Sequence, residues 1–324
     1  MTQTEPPAAA GAPPRRWSWE PLVLPLTFVA LVAVLSLLSP FFLTPRNIIN
    51  VLHQAAILSI VTVGMTYVII SGGFDLSIGA TVALSGCVGA VVMLQAGVAA
   101  GVLAGLGAGT AIGVLNGYLI AYRHLSPFIA TLGTLVIGRG LALGVTQGGA
   151  IFGLPPAFHW LGSGVVAGIP VPVVLAALTF LVGWVFLRFH PFGVILYAVG
   201  GNSRAARLSG IRVGRVILVT YAASGFLAAV AGLTLTSRVR AGEPTVAVFL
   251  ELFSVAAVVL AGARLGGGSG SLPRSTLGVL FIGSLENGLN LLNVPFYWQQ
   301  VVIGAVFIAA AAITSQGRGR AGDR

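Results

Sequence analysis

Three carboxylates fall in or beside apolar runs of this 324-residue chain: Asp75 in SGGFDLSIG, Glu251 in ELFSVAAVVL, and Glu286 just before Asn287. The chain has only seven acids; Glu5, Glu20 and Asp323 lie near its ends and Glu243 in a loop. A charged side chain at the centre of a bilayer costs about 2.5–3.5 kcal/mol on insertion scales, so such residues face protein or water. Proton or cation binding is one chemistry they offer. Helix capping is another: two glycines precede Asp75 and Ser77 follows it, so Asp75 can accept N–H groups at the positive end of a new helix. Glu251 opens its run in the same way. Both readings, a cap and a part in gating or a substrate path, stay open for each. Ser77, Asn116, Asn287 and Arg139 join the three acids as candidate path or gating residues. Arg139 lies about 18 Å along a helix from Pro127. There it either snorkels outward or pairs with an intramembrane acid.

Several chemistries are excluded. A phosphate-binding loop of the Walker type needs a lysine on the phosphates. The chain contains no lysine, and its Gly-rich run GGGSGS (266–271) lacks the spacing. His53, His124, His159 and His190 sit far apart, so no metal site is expected, and they read as helix caps or interfacial residues. No serine lies in a nucleophile-elbow pattern. Cys87 is the only cysteine, which rules out an intrachain disulfide. No catalytic residue is expected.

A second kind of site is basic. GGNSRAARLSGIRVGR (200–215) holds four arginines between two oily runs. Asn202 or Ser203 suits an N-cap, Gly210 a C′ position, and Ile211 the apolar contact after it. A helix of about two turns fits between, with Ala205, Leu208 and Ser209 on one face. Such a helix can enter a groove on a soluble partner; equally, the stretch reads as a solvated loop.

The elements that must hold these residues are set by composition. Hydrophobic residues make up 56% and charged residues 7% of the chain, against about a quarter charged in soluble domains. The fold class expected is an all-α polytopic membrane protein with about ten transmembrane helices (range 8–10). The segments are 22–39, 48–70, 76–95, 97–121, 127–147, 165–187, 213–236, 247–262, 273–293 and 296–314. Segments three and eight are interrupted by Gly and polar residues. The net charge of +10 comes entirely from arginine and reads as membrane orientation, not nucleic-acid binding. With the N-terminus inside, only Arg46, Arg238 and Arg240 fall outside, which favours two cytoplasmic termini. Residues 1–20 read as a disordered cytoplasmic tail, 21–315 as the transmembrane domain, and 316–324 as a second tail. The apolar run after residue 21 is too long for a cleaved signal peptide. IFGLPPAFHWLGS (151–163) falls outside, as an interfacial anchor or a docking surface.

A weak internal echo is also present. DLSIGATVAL (75–84) is similar to ELFSVAAVVL (251–260), and NGYLIAYRHLSPF (116–128) to NGLNLLNVPF (287–296), in the same order. The matching segments lie five helices apart, an odd offset, which would invert one half relative to the other, as transporters often do. Chance similarity between Gly-rich apolar stretches is the competing account.

Four motifs carry a resemblance to a known family: GGFDLSIGATVALSG (72–86), NGYLIAYRHLSPFIATLGTLVIGRGLAL (116–143), AVGGNSRAARLSGI (198–211) and NGLNLLNVPFYWQQVVIG (287–304). From about residue 45 to 313 the chain resembles the permease subunits of bacterial ABC importers for ribose, xylose, galactose and similar monosaccharides. The resemblance implies a multi-pass protein of the bacterial plasma (inner) membrane, working as a homodimer surrounded by lipid. It implies a cytoplasmic ATPase, typically one chain with two nucleotide-binding domains, and an external sugar-binding protein. ATP and Mg would be bound by the ATPase; this chain would hold no cofactor and catalyse no reaction. Residues 203–210 have the spacing of the importer coupling motif Glu-Ala-Ala-x-x-x-Gly. That assigns ATPase coupling to Ser203, Arg204, Ala205, Ala206, Arg207, Leu208 and Gly210, and makes Ala206→Asp the obvious test. The chain departs from the family pattern at Arg204, where the motif has Glu, and at Phe253, Pro273, Arg274 and Glu286. Cargo of another kind (nucleosides, branched-chain amino acids, a sugar-like signal) is the nearest alternative. An ion-coupled carrier using Asp75, Glu251 or Glu286, and a non-transporting scaffold, are the others.

Overall fold

The structure, a computed structural model, describes residues 20–308. The tails expected over 1–20 and 316–324 lie outside the described residues, save Glu20 at the first helix's start. Thirteen helices run through the described chain. They are α1 (Glu20–Leu38), α2 (Pro45–Ile70), α3 (Ile78–Ala96), α4 (Val98–Tyr122), α5 (Pro127–Val145), α6 (Pro156–Ser163), α7 (Val171–Phe189), α8 (Pro191–Gly201), α9 (Ser203–Leu208), α10 (Val213–Val239), α11 (Leu250–Leu260), α12 (Leu272–Leu291) and α13 (Phe296–Ile308). Six of them, α2, α3, α4, α5, α7 and α10, are long and apolar enough to cross a membrane; the Leu22–Leu38 stretch of α1, and α8, α11 and α13, are shorter and apolar. Each of the ten apolar runs in the sequence has a helix at its place, including the two interrupted ones.

Proline sets many of the boundaries. It stands in the first turn of α2, α5, α6, α7, α8 and α12, where its missing N–H costs nothing and its fixed φ suits the helix. Pro273, a departure from the family pattern, is therefore an ordinary helix start. The sixth segment is a correction. Helix α7 begins at Val171, not 165, because β1 (Val165–Val166) pairs antiparallel with β2 (Ile169–Pro170). Ala167 and Gly168 both have positive φ, 50° and 83°, the geometry of a two-residue hairpin turn matched to strand twist.

Small residues set the packing. Gly101, Gly105, Gly109, Gly113 and Gly117 recur every fourth residue on α4 and are all buried. A Cβ on Gly113 would fall 2.3 Å from the Tyr221 carbonyl oxygen, so α4 and α10 meet backbone to backbone. In lipid, where apolar burial drives little association, this close approach supplies the packing energy.

Helices α2 and α10 form the antiparallel centre. Arg238 of α10 donates to the His53 carbonyl at 3.3 Å, Gly64 abuts Ser224, and Tyr221 donates to the Phe74 carbonyl at 2.7 Å. Each centre helix is followed by a break and a second helix that packs on the other one: α3 on α10, α11 on α2. Helix α3 also packs on α4 and α5. Helix α11 packs on α12 and reaches α13 through Phe253, which meets Phe307 edge to face at 6.0 Å. A core of buried aliphatic residues from α2, α3, α10, α11 and α12 fills the middle.

One polar pair ties the outer layer to this centre. The amides of Asn47 on α2 and Asn287 on α12 exchange hydrogen bonds of 2.8 and 3.0 Å, and Asn47 also donates to the Phe42 carbonyl. Both side chains are buried. Asn287→Leu should lower the thermal stability of the purified protein by about 1–3 kcal/mol, because Asn47 keeps its desolvation cost and loses its partner. The Asn47→Leu/Asn287→Leu double variant should regain part of that loss; a double variant as unstable as the summed singles would show the pair is not a unit.

Candidate functional site

The site grows from the break between α2 and α3. Ser71 and Gly72 turn the chain, and residues 73–75 run without helix before α3. Asp75 is 1% exposed. Its Oδ1 accepts the Ser77 N–H at 3.1 Å and the Ser77 hydroxyl at 2.6 Å; the N-cap position of α3 falls on Ser77 itself, so Asp75 holds the cap residue and does not occupy the cap position. Its Oδ2 accepts from the Ser224 hydroxyl of α10 at 2.9 Å. Ser77 in turn accepts from the Asn116 amide of α4 at 2.8 Å. Asn116 Oδ1 accepts from the Thr134 hydroxyl of α5 at 2.7 Å. Five buried polar side chains thus form one chain of hydrogen bonds across four helices.

Its depth follows from α10. Ser224 lies eleven residues past Val213, or about 16 Å along the helix, against a hydrocarbon core of about 30 Å. The break after α2 therefore turns back alongside α10 and starts α3 near the middle of that long apolar helix. Helix α11 starts at a comparable level, because Glu251 in its first turn lies against Gly79 in the first turn of α3. The Glu251 Oε2 atom is buried and makes no hydrogen bond. The two interrupted helices then diverge. Gly86 of α3 abuts Thr236 of α10 toward one face. The link after α11 reaches the other, where the Gly268 N–H donates to the Ile70 carbonyl at 2.9 Å.

Structure divides the expected path residues. Asp75, Ser77 and Asn116 come together, and Glu251 faces the same helix start. Glu286 and Asn287 stand apart on α12: Asn287 serves the pair with Asn47, and Glu286 is half-buried beside it. Arg139 neither snorkels nor pairs with an acid through a hydrogen bond. Its Nη1 donates to the Pro244 and Val246 carbonyls at 2.8 and 2.7 Å, fixing the loop that leads into α11. Ser224 and Thr134 belong to the buried chain and escaped the sequence reading. Ser224 sits in an apolar helix with no motif around it, and Thr134 lies within the stretch 116–143 without a feature that singles it out, so only the packing of the helices marks them. Among the described residues no group of three or more His, Cys, Asp or Glu could hold a metal ion.

The basic stretch folds as its caps dictate. Asn202 Oδ1 accepts the Ala205 N–H at 2.9 Å and starts α9. Gly210 takes φ +82°, and the Ile211 N–H returns to the Ala206 carbonyl at 3.1 Å. This left-handed closure favours glycine. Ala206 is 5% exposed and packs with Ile211 and Val213 in a buried cluster, whereas Leu208 is 86% exposed. Ala205, Ser209 and the arginines at 204, 207, 212 and 215 are also exposed. The outward face of Ala205, Leu208 and Ser209 is present, and Ala206 is the anchor beneath it. Ala206→Asp is consequently a poor probe of docking, since it buries a charge within this chain's own packing. Beside α9, Arg207, Arg212, Arg215 and His124 line a cleft of about 460 Å3.

Residues 47–311 match the family described as "Branched-chain amino acid transport system / permease component". The chain is similar to the ribose import permease protein RbsC of Bacillus subtilis, with 47% identity over 87% of this chain and 89% of that one. It is 37% identical to the D-allose transport system permease protein AlsC of Escherichia coli, over 87% and 88% of the two chains. Identity to the xylose transport system permease protein XylH of Escherichia coli is 31%, over 89% and 91%. No solved structure matches the chain.

Proposed function

This chain belongs to the family of branched-chain amino acid transport system permease components, and we propose that it forms the membrane pathway of an ATP-driven importer for a ribose-type monosaccharide. The sugar assignment rests on the relatives. The family's printed description names amino acids, but the full-length similarity runs to permeases named for ribose, allose and xylose. The observation that carries the pathway is the pair of interrupted helices meeting near mid-membrane, with the buried chain from Ser224 through Asp75, Ser77 and Asn116 to Thr134 beside them. Half-helix starts at that depth leave N–H groups and polar side chains where a hydroxylated solute must pass.

An inverted repeat accounts for this arrangement. The units α2–α5 and α10–α13 correspond: a long helix, a break, an interrupted helix packed on the other unit's long helix, then two more. Antiparallel α2 and α10, and divergent α3 and α11, support the inversion. The echo of Asp75 by Glu251 then falls at equivalent helix starts. The full reading is ten membrane crossings with both termini cytoplasmic. Two copies of the chain work with a cytoplasmic ATPase that binds ATP and Mg, and a binding protein delivers sugar outside. Exposed α9 with the turn after it, from Ser203, Arg204, Ala205, Arg207 and Leu208 to Gly210 on the buried anchor Ala206, is the ATPase contact, and ATP hydrolysis in the partner biases two packings of the helices.

The permease, ATPase and binding protein, reconstituted in liposomes, should import labelled ribose only with ATP on the ATPase side, and a protonophore should leave uptake intact. Uptake that collapses with the protonophore while ATP persists would establish an ion-coupled carrier instead. Competition by unlabelled allose, xylose and leucine then ranks the cargo.

A further inference from the structure

We propose that a backbone junction of glycines transmits movement of α9 to both interrupted helices. The inference rests on reading α9 as the ATPase contact. Helix α8 ends at Gly201, and the next residue, Asn202, caps α9. Gly200 presses on the end of α2: a Cβ there would fall 1.8 Å from the Ile70 carbonyl oxygen and 2.6 Å from the Gly268 nitrogen. The Gly268 N–H donates to that same Ile70 carbonyl at 2.9 Å. A Cβ on Gly267 would fall 2.7 Å from the Gly72 Cα and 2.8 Å from the Gly200 carbonyl oxygen. One turn back along α8, the Tyr197 hydroxyl donates to the Gly270 carbonyl at 2.8 Å.

Three segments therefore touch through their backbones: the end of α8, the turn from α2 toward α3, and the link from α11 to α12. Gly72 stands three residues ahead of Asp75. The link begins where α11 ends. No side chain intervenes at the contacts of Gly200, Gly267 and Gly72, so a shift of α8 cannot be absorbed by a rotamer change. It passes to the breaks that seat α3 and α11. Coupling over such a distance needs a contiguous connection to elements with two arrangements, and the interrupted helices are those elements. Gly200, Gly267, Gly268 and Tyr197 are positioning residues on this account. It also gives GGGSGS a purpose, since Gly267 and Gly268 take φ of 86° and 70°, values that side-chain-bearing residues seldom adopt.

The test uses the complete permease, ATPase and binding-protein assembly in liposomes, with labelled ribose. Gly200→Ala wedges the junction, and Tyr197→Phe removes one hydrogen bond without changing the ring. Both should retain the ATPase and hydrolyse ATP. Sugar imported per ATP should fall on the order of tenfold for Gly200→Ala and about twofold for Tyr197→Phe. A merely structural role would lower yield or thermal stability and leave the ratio of sugar to ATP unmoved. Gly200→Ala decides where its assembly is recovered, and Tyr197→Phe decides where it is not. An unchanged ratio in the deciding variant overturns the junction. The underlying reading has a separate failure: Leu208→Asp that still holds the ATPase would sink α9 as the contact, whatever the ratio in Gly200→Ala.

Discussion

Asp75→Ala is expected to abolish most ribose uptake, by more than about tenfold, while Asp75→Asn stays within about threefold of wild type. The carboxylate is buried and accepts three hydrogen bonds, two from Ser77 and one from Ser224. Alanine strands those donors, and each stranded group costs about 1–3 kcal/mol. The losses are not independent, because Ser77 also holds Asn116, which holds Thr134. The start of α3 would lose the acceptor that holds Ser77 and its bond to α10. Asparagine keeps the oxygen that accepts from Ser77, and its amide can donate to Ser224 if that hydroxyl turns to accept. Among the described residues no cation hydrogen-bonds to Asp75, so nothing in the geometry requires the negative charge. Uptake and protein yield measured on both variants separate the cases. If Asp75→Asn is as dead as Asp75→Ala, the charge itself acts in transport and the hydrogen-bonding account fails.

That expectation was half legible in the sequence. SGGFDLSIG announces a helix break and an acid at the next helix start through its types and spacing alone; the break is present, and Asp75 bonds to Ser77, which takes the N-cap position itself. The partner Ser224 is invisible there, since its link to Asp75 spans 149 residues. Only the packing of α3 on α4, α5 and α10, together with the backbone contact of α4 with α10, brings the four helices together. Helix positions were legible for the same reason that caps were: apolar length and proline punctuation are local. The hairpin at 165–170 was missed because VVAGIP is as apolar as the helix behind it, and its turn depends on φ at Ala167 and Gly168. Arg139 shows the opposite failure. A lone cation among apolar residues invites an acidic partner, yet two carbonyls of a neighbouring loop satisfy it. Burial within α9 was also opaque. A six-residue helix gives too little periodicity to say whether Ala205 or Ala206 faces inward.

The second large effect belongs to α9. Leu208→Asp should weaken ATPase binding by about 10- to 100-fold and leave the permease folded. The side chain is 86% exposed, on a capped helix whose anchor is Ala206, so the change removes nothing from the permease's own packing. An exposed leucine that becomes buried on a partner contributes about 1.5–3 kcal/mol, and each 1.4 kcal/mol is tenfold in affinity. A carboxylate left in the same apolar contact adds its desolvation penalty. Arg204 offers a graded comparison. It is exposed where the family motif carries an acid, so a bond made by that acid is not available here. Charges at the rim of an interface alter association rate and salt dependence more than affinity, so Arg204→Ala should cost less than Leu208→Asp, and its cost should shrink as salt rises. Copurification of the ATPase and titration of the detergent-solubilised complex at two salt concentrations measure both. Arg204→Glu then tests the polarity of the contact. Tighter binding would mean that the partner presents a cation there, as the Glu-containing motif implies; weaker binding would mean that its surface has changed to suit arginine. Equal loss from Arg204→Ala and Leu208→Asp, independent of salt, would move the energetic centre of the contact off the exposed leucine and onto the arginine.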